Sequence, residues 1–153
     1  MGKATAVANP NIAFIKYWGR TSQALNLPAN PSLSMNLDAL TTVTTVEFRP
    51  GLHVDNVMID GQPAEDHSFA RVAAQLDRVR ALADLGDRAR VVSRNDFPAG
   101  TGLASSSSAF AALALAATRA AGLRLEETQL LRLARLGSGS ACRSVPAGFT
   151  LWE

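Results

Sequence analysis

The chain has 153 residues, 47% of them apolar and 18% charged, the make-up of one folded domain with its own core rather than of a disordered segment. A net charge of +2 without a dense Lys/Arg cluster gives no argument for nucleic acid; the longest apolar run, residues 109–117, is too short to span a bilayer, and the opening MGKATAVANP has no signal-peptide core. One cysteine, Cys142, rules out an internal disulfide, and His53 and His67 do not form a zinc motif with it, so a reducing cytoplasm is the expected location.

In chain order, the apolar runs at residues 4–8 and 12–18 read as two strands joined by a turn at Asn9-Pro10-Asn11. Residues 27–32, with two prolines and an asparagine, read as a loop. Residues 32–37 alternate as S-L-S-M-N-L, a half-buried strand, and the Thr/Val-rich residues 41–48 form another. Pro50-Gly51 turns the chain into a strand over residues 54–59, and Asp60-Gly61 turns it again. Phe69, Val72, Leu76, Val79 and Ala83 then recur at helical spacing, with Gly86 as the expected stop. A strand over residues 89–93, a Gly/Pro loop over 95–103 and a buried Ala-rich helix over 104–121 ending at Gly122 follow. A helix over residues 126–136 leads into a polar loop, 137–144, and a last strand, 147–152. Strands first and helices later predict an α+β domain, with helices on one face of a mostly antiparallel sheet.

Three segments carry the candidate chemistry. FPAGTGLASSSS, residues 97–108, runs a glycine-bearing loop into four serines at a helix start, where unpaired N–H groups attract phosphate. The same residues also read as a Gly/Pro loop with a serine cap; with no Gly-Lys-Ser/Thr, it is not a Walker A loop. GSGSACRS, residues 137–144, offers the planar fork of Arg143 beside Ser138 and Ser140, suited to a carboxylate or phosphate. NPNIAFIKYWGR, residues 9–20, sets Lys16 in an apolar run. If Phe14 faces the core, Lys16 does too and needs an anion; the alternative is an edge lysine with its head in water. Tyr17 and Trp18 read as core aromatics, Arg20 as a second local cation, and Cys142 as a small packing residue rather than a nucleophile. His53 reads as an exposed strand residue, and His67 as a residue of the cap region before the helix.

Together these segments resemble mevalonate diphosphate decarboxylases of the GHMP kinase superfamily. NIAFIKYWGR (11–20), LNLPANPSLS (25–34), the phosphate loop FPAGTGLASS (97–106) and GSGSACRS (137–144) carry the resemblance. It implies a GHMP-kinase amino-terminal domain of the ribosomal protein S5 domain 2-like type over residues 1–153. The activity it implies is ATP-dependent decarboxylation of mevalonate 5-diphosphate to isopentenyl diphosphate, with ATP and Mg²⁺ as cofactors. Carried over by position, Lys16, Tyr17 and Arg20 meet the substrate diphosphate, while Ser138, Gly139, Ser140 and Arg143 meet its carboxylate and surroundings. Gly102, Ala104, Ser105 and Ser106 hold ATP phosphates, with Ser107 and Ser108 as added donors; Arg143, Ser106 and Lys16 are the catalytic candidates. The resemblance expects an arginine opening the first long helix, where His67 and Ser68 stand, which puts recognition of the second phosphate in question. It also implies a second domain carrying an activating aspartate, so the chain reads as an amino-terminal part. Its expected partners are a phosphorylated small molecule and either a second copy or a missing carboxyl-terminal half. The competing readings are action on mevalonate or a mevalonate monophosphate, and a non-catalytic nucleotide- or partner-binding fragment.

Overall fold

A computed structural model describes residues 2–16, 18–98 and 105–152. The larger sheet comprises β1 (Lys3–Ala8), β6 (Thr42–Arg49), β9 (Arg88–Asn95), β7 (Asn56–Ile59) and β8 (Gln62–Pro63), in that spatial order. Its pairs are antiparallel except β7 with β9, which run parallel. Helix α1 (Asp66–Ala83) makes the crossover a parallel pair requires. Strand alternation sets the core: Ala6, Val46, Phe48, Val57, Ala89 and Val91 point to one face and are buried. On that face lie α1, α2 (Ser105–Ala120) and α3 (Glu127–Gly137). The alanines of α2 are small enough for its backbone to lie close over β1 and β6, and Ala112, Ala114, Ala116 and Ala117 are completely buried. The predicted α+β arrangement, helices on one face of a mostly antiparallel sheet, is the one observed.

A second, three-stranded sheet has the order β10 (Phe149–Trp152), β5 (Ser32–Asn36), β2 (Asn11–Ile15), all antiparallel. Its register places Ile12, Met35 and Phe149 in one cross-strand row and Ile15, Leu33 and Leu151 in the next. Ile12, Ile15, Phe149 and Leu151 are exposed, and Phe14 stacks on Phe149 at 6.2 Å. Inward, the same strands carry Asn11, Ser32, Ser34 and Trp152. This small sheet is polar inside and apolar outside.

Several local expectations change. Within the expected loop 27–32, β4 (Leu27–Pro28) pairs with β3 (Arg20–Ser22) in a short hairpin. Helix α1 ends not at Gly86 but at Asp84, whose φ of 49° and N–H to Arg80 O form a left-handed cap; a short polar side chain tolerates that conformation. Residues 139–144 are not a loop but a buried 3-10 helix (Gly139–Ser144). Gly137 is the last residue of α3, and its glycine is required by packing: a Cβ there would lie 2.1 Å from the Phe110 ring.

Candidate functional site

The start of α2 and the Gly139–Ser144 turn meet through side-chain hydroxyls. Ser106 Oγ lies 3.3 Å from Ser138 Oγ, and Ser144 Oγ donates to Ser107 Oγ at 3.3 Å. Asn11, at the start of β2, ties the turn to the small sheet: its Nδ2 donates to Ser140 O at 3.2 Å and Ser144 Oγ at 2.8 Å. Arg143 completes the network. Its Nε donates to Asn11 Oδ1 at 3.2 Å, one Nη donates to Ser32 Oγ at 2.8 Å, and the guanidinium lies 5.5 Å from the Trp152 ring centre. Only 6% of Arg143 is exposed, so the fork is held in place before any ligand arrives.

The four serines of α2 divide by helical position. Ser105 and Ser106 are part-exposed and line a pocket of about 260 Å³ with Ser68, Arg71 and Asn95. Ser107 and Ser108 are fully buried. Ser108 Oγ bonds Thr42 Oγ1 at 2.7 Å and donates to Ser105 O at 3.2 Å, while Ser107 Oγ accepts from Ser144. This corrects their expected role as added phosphate donors: both hydroxyls face the protein and hold α2 against β6 and the 3-10 turn.

Lys16 is exposed and follows β2, and Phe14 is 57% exposed, so of the two readings of Lys16 the edge lysine with its head in water is the one observed. The physical reason is that β2 is an edge strand whose apolar side faces outward. Trp18, expected in the core, is 80% exposed. The backbone here is fixed by Asn30, which accepts the Trp18 N–H at 2.7 Å and donates to Lys16 O at 3.1 Å. Arg20 is exposed and donates to Gln23 Oε1 at 3.2 Å. No hydrogen bond or ion pair among the described residues joins the Lys16 or Arg20 side chain to the serine network. Tyr17, Gly102 and Ala104 lie outside the described residues. Gly139 is buried and opens the 3-10 turn, and Ser140 is part-buried.

Burial pushes the Cys142 thiol up to about 11 against the opposing pull of Arg143 and Arg135. The group is therefore neutral near pH 7 and packs rather than attacks. His53 and His67 are exposed, His67 in the first turn of α1. Sequence reasoning missed Asn11 and Arg71. Asn11 stands in the quoted NIAFIKYWGR segment, so motif position was a signal for it; Arg71 had only its place on the helical stripe beside Val72.

Comparison with known proteins gives a consistent result. Diphosphomevalonate decarboxylase of Schizosaccharomyces pombe is 40% identical over 165 residues, covering 99% of this chain and 42% of that protein. Phosphomevalonate decarboxylase of Haloferax volcanii is 40% identical over 148 residues, covering 97% and 46%. The solved mevalonate diphosphate decarboxylase of Enterococcus faecalis superposes with a TM-score of 0.93 at 45% identity, covering 99% of this chain and 47% of that one. The chain thus spans less than half the length of these relatives. No helix among the described residues is long and apolar enough to cross a membrane. Residues 8–153 match the model of the diphosphomevalonate decarboxylase-like N-terminal domain, and the chain belongs to that family.

Proposed function

We propose that this chain supplies the ATP- and substrate-binding part of an enzyme that converts mevalonate 5-diphosphate and ATP to isopentenyl diphosphate, carbon dioxide, ADP and phosphate. The observation that carries this reading is the 3.3 Å approach of Ser106 to Ser138, which sets the serine-rich start of α2 against the beginning of the segment that carries Ser140 and Arg143. It is supported by a solved neighbour, MDDEF in complex with MVAPP, AMPPCP and magnesium, 45% identical with a TM-score of 0.93.

In this reading the γ-phosphoryl group passes to the substrate's tertiary hydroxyl. Phosphate then leaves with the C–O electron pair, and the C–C electrons form the alkene as carbon dioxide departs. Such chemistry needs positioning and charge neutralisation more than covalent help. Ser105 and Ser106, with the open N–H groups of α2, hold ATP phosphates, and Mg²⁺ carried with the nucleotide offsets their charge. Ser138, Gly139, Ser140 and Arg143 hold the carboxylate in line to fragment. The Asn11, Ser32 and Trp152 contacts fix the Arg143 fork, so little ordering cost falls on binding. The diphosphate is assigned by motif position to the cations Lys16 and Arg20, with the Tyr17 hydroxyl. Arg143 is thus both ligand group and internal brace, and truncating it would loosen the small sheet as well as the site.

The test is a calorimetric titration with ATP: Ser106→Ala weakens binding by about 1–3 kcal/mol, the worth of a charge-assisted hydrogen bond. Equal affinity in the variant refutes the assignment. A second reading, a monophosphate substrate, is favoured by the Haloferax volcanii relative and by Ser68 standing where the resemblance expects an arginine. Turnover of mono- against diphosphate by the complete protein decides between them.

A further inference from the structure

A second cleft, of about 180 Å³, lies between α3 and β10, the edge strand of the small sheet. One wall is the face of α3 that carries Thr128, Arg132 and Arg135, residues at helical spacing. The other wall is formed by Thr150, Leu151 and Trp152 of β10, and Cys142 of the 3-10 turn also lines it. None of Ser105, Ser106, Ser138, Ser140 or Arg143 lines this cleft.

The charge of the cleft is one-sided. Arg132 and Arg135 both line it, three residues apart, and like charges so placed on a helix repel. No carboxylate lines it, and Cys142, neutral near pH 7, adds no negative charge. Neither arginine side chain makes a hydrogen bond or ion pair among the described residues. Arg132 is exposed, and water satisfies it. Arg135 is part-buried, and its Nε is closed to water without a partner. Thr150 Oγ1, from the opposite wall, is buried and unpartnered in the same way. A solvated surface pair therefore accounts for Arg132 alone and leaves the partly desolvated charge of Arg135 without an acceptor.

The rest of the lining favours a particular kind of anion. Leu131, Leu151 and the Trp152 ring offer apolar surface beside the two guanidinium groups. The volume is below the roughly 300–1,000 Å³ of drug-sized pockets, which suits a small body. A planar guanidinium pairs with a carboxylate through two parallel N–H bonds, and the apolar walls take the carbon skeleton.

We propose that this cleft binds a small organic carboxylate, its oxygens paired with Arg135 and Arg132 and its apolar body against Leu131, Leu151 and Trp152. The site is separate from the phosphate and substrate loops of the functional reading and does not depend on that reading. Trp152 nevertheless touches both, since its ring centre lies 5.5 Å from the Arg143 guanidinium.

The experiment is an NMR titration of the isotope-labelled 153-residue chain with benzoate as the probe. Benzamide, which keeps the ring without the charge, and inorganic phosphate, which keeps the charge without the body, are titrated beside it. Benzoate shifts the amide signals of Thr128, Arg132, Arg135 and Thr150 and saturates, while benzamide and phosphate bind at least roughly tenfold more weakly. Arg135→Met weakens benzoate roughly ten- to hundredfold, and Arg135→Lys recovers part of the loss, because it restores charge without the fork. The proposal is overturned by the absence of a saturable benzoate shift, or by equal affinity for benzamide or phosphate. It is equally overturned by shifts confined to Asn11, Ser32 and Ser144, which place the carboxylate at Arg143 instead. Unchanged benzoate affinity in Arg135→Met overturns it too. Should that variant fail to fold, Arg132→Met, a change at an exposed position, is read by the same criterion.

Discussion

The two sheets are built on opposite plans. The five-stranded sheet buries Val46, Phe48, Val57 and Val91 under three helices, the ordinary way to turn apolar area into stability. The three-stranded sheet buries Asn11, Ser32 and Ser34 and turns Ile12, Phe14, Phe149 and Leu151 outward. Its inner layer is spent on holding Arg143 rather than on a dry core. The contrast separates two tasks: the large sheet keeps the fold, and the small sheet holds a charged fork at fixed geometry, at some cost in packing. Its outward apolar rows would also favour association with another apolar surface.

If that division is right, the largest stability losses belong to the large sheet. Asp55 is 6% exposed; it accepts two bonds from Arg80 at 3.0 Å and one from the Ala89 N–H at 2.8 Å. Asp55→Ala leaves the buried Arg80 guanidinium only the exposed carboxylate of Asp77 and the Ala89 N–H without its acceptor, and costs about 3–5 kcal/mol in urea unfolding. A loss below about 1 kcal/mol would mean that water already reaches this pair. Leu76, completely buried in the same core, should lose roughly 2–5 kcal/mol on change to Ala, again by urea unfolding.

The small sheet predicts the reverse. Ser34 Oγ is buried with no hydrogen-bond partner among the described residues, as is Oγ1 of Thr150, its cross-strand neighbour. Ser34→Ala should therefore be neutral or stabilising by up to about 1 kcal/mol, since it removes a desolvated group that gains nothing in return. A clear destabilisation would show that this hydroxyl has a partner in solution and would erase part of the contrast.

The smallest effect concerns Asp96, just past β9. Its carboxylate accepts the Thr41 N–H and hydroxyl, each at 2.7 Å, and these bonds hold its pKa below the usual aspartate value. A lowered folded value means stability that is present above the unfolded value of about 3.9 and lost as pH falls through the folded one. Melting temperatures measured from neutral pH into the acid range should fall less steeply for Asp96→Asn than for the unaltered chain. Parallel curves would remove Asp96 from the acid response.

Much of this was legible in the sequence because it is local. The helical stripe of α1, the small residues of α2, the turns at Pro50-Gly51 and Asp60-Gly61 and the serine-rich start of α2 each follow from residues within a few positions of one another. Local chemistry also marked 137–144 as a site candidate, although its 3-10 form was hidden because a run of Gly, Ser and Ala has no periodicity to read.

The orientation of the site was decided by contacts that no local window contains. Arg143 bonds Asn11 across 132 positions, Ser107 meets Ser144 across 37, and Arg71 reaches Gly137 across 66. Sequence placed four serines at one helix start; only packing against Thr42 and Ser144 decided that Ser107 and Ser108 turn inward while Ser105 and Ser106 face the pocket. Sequence likewise placed Lys16 on an apolar strand, and it took the edge position of β2 to leave it in water. The period of a strand or helix says which side chains share a face, but which face meets a core is fixed by the neighbouring element alone.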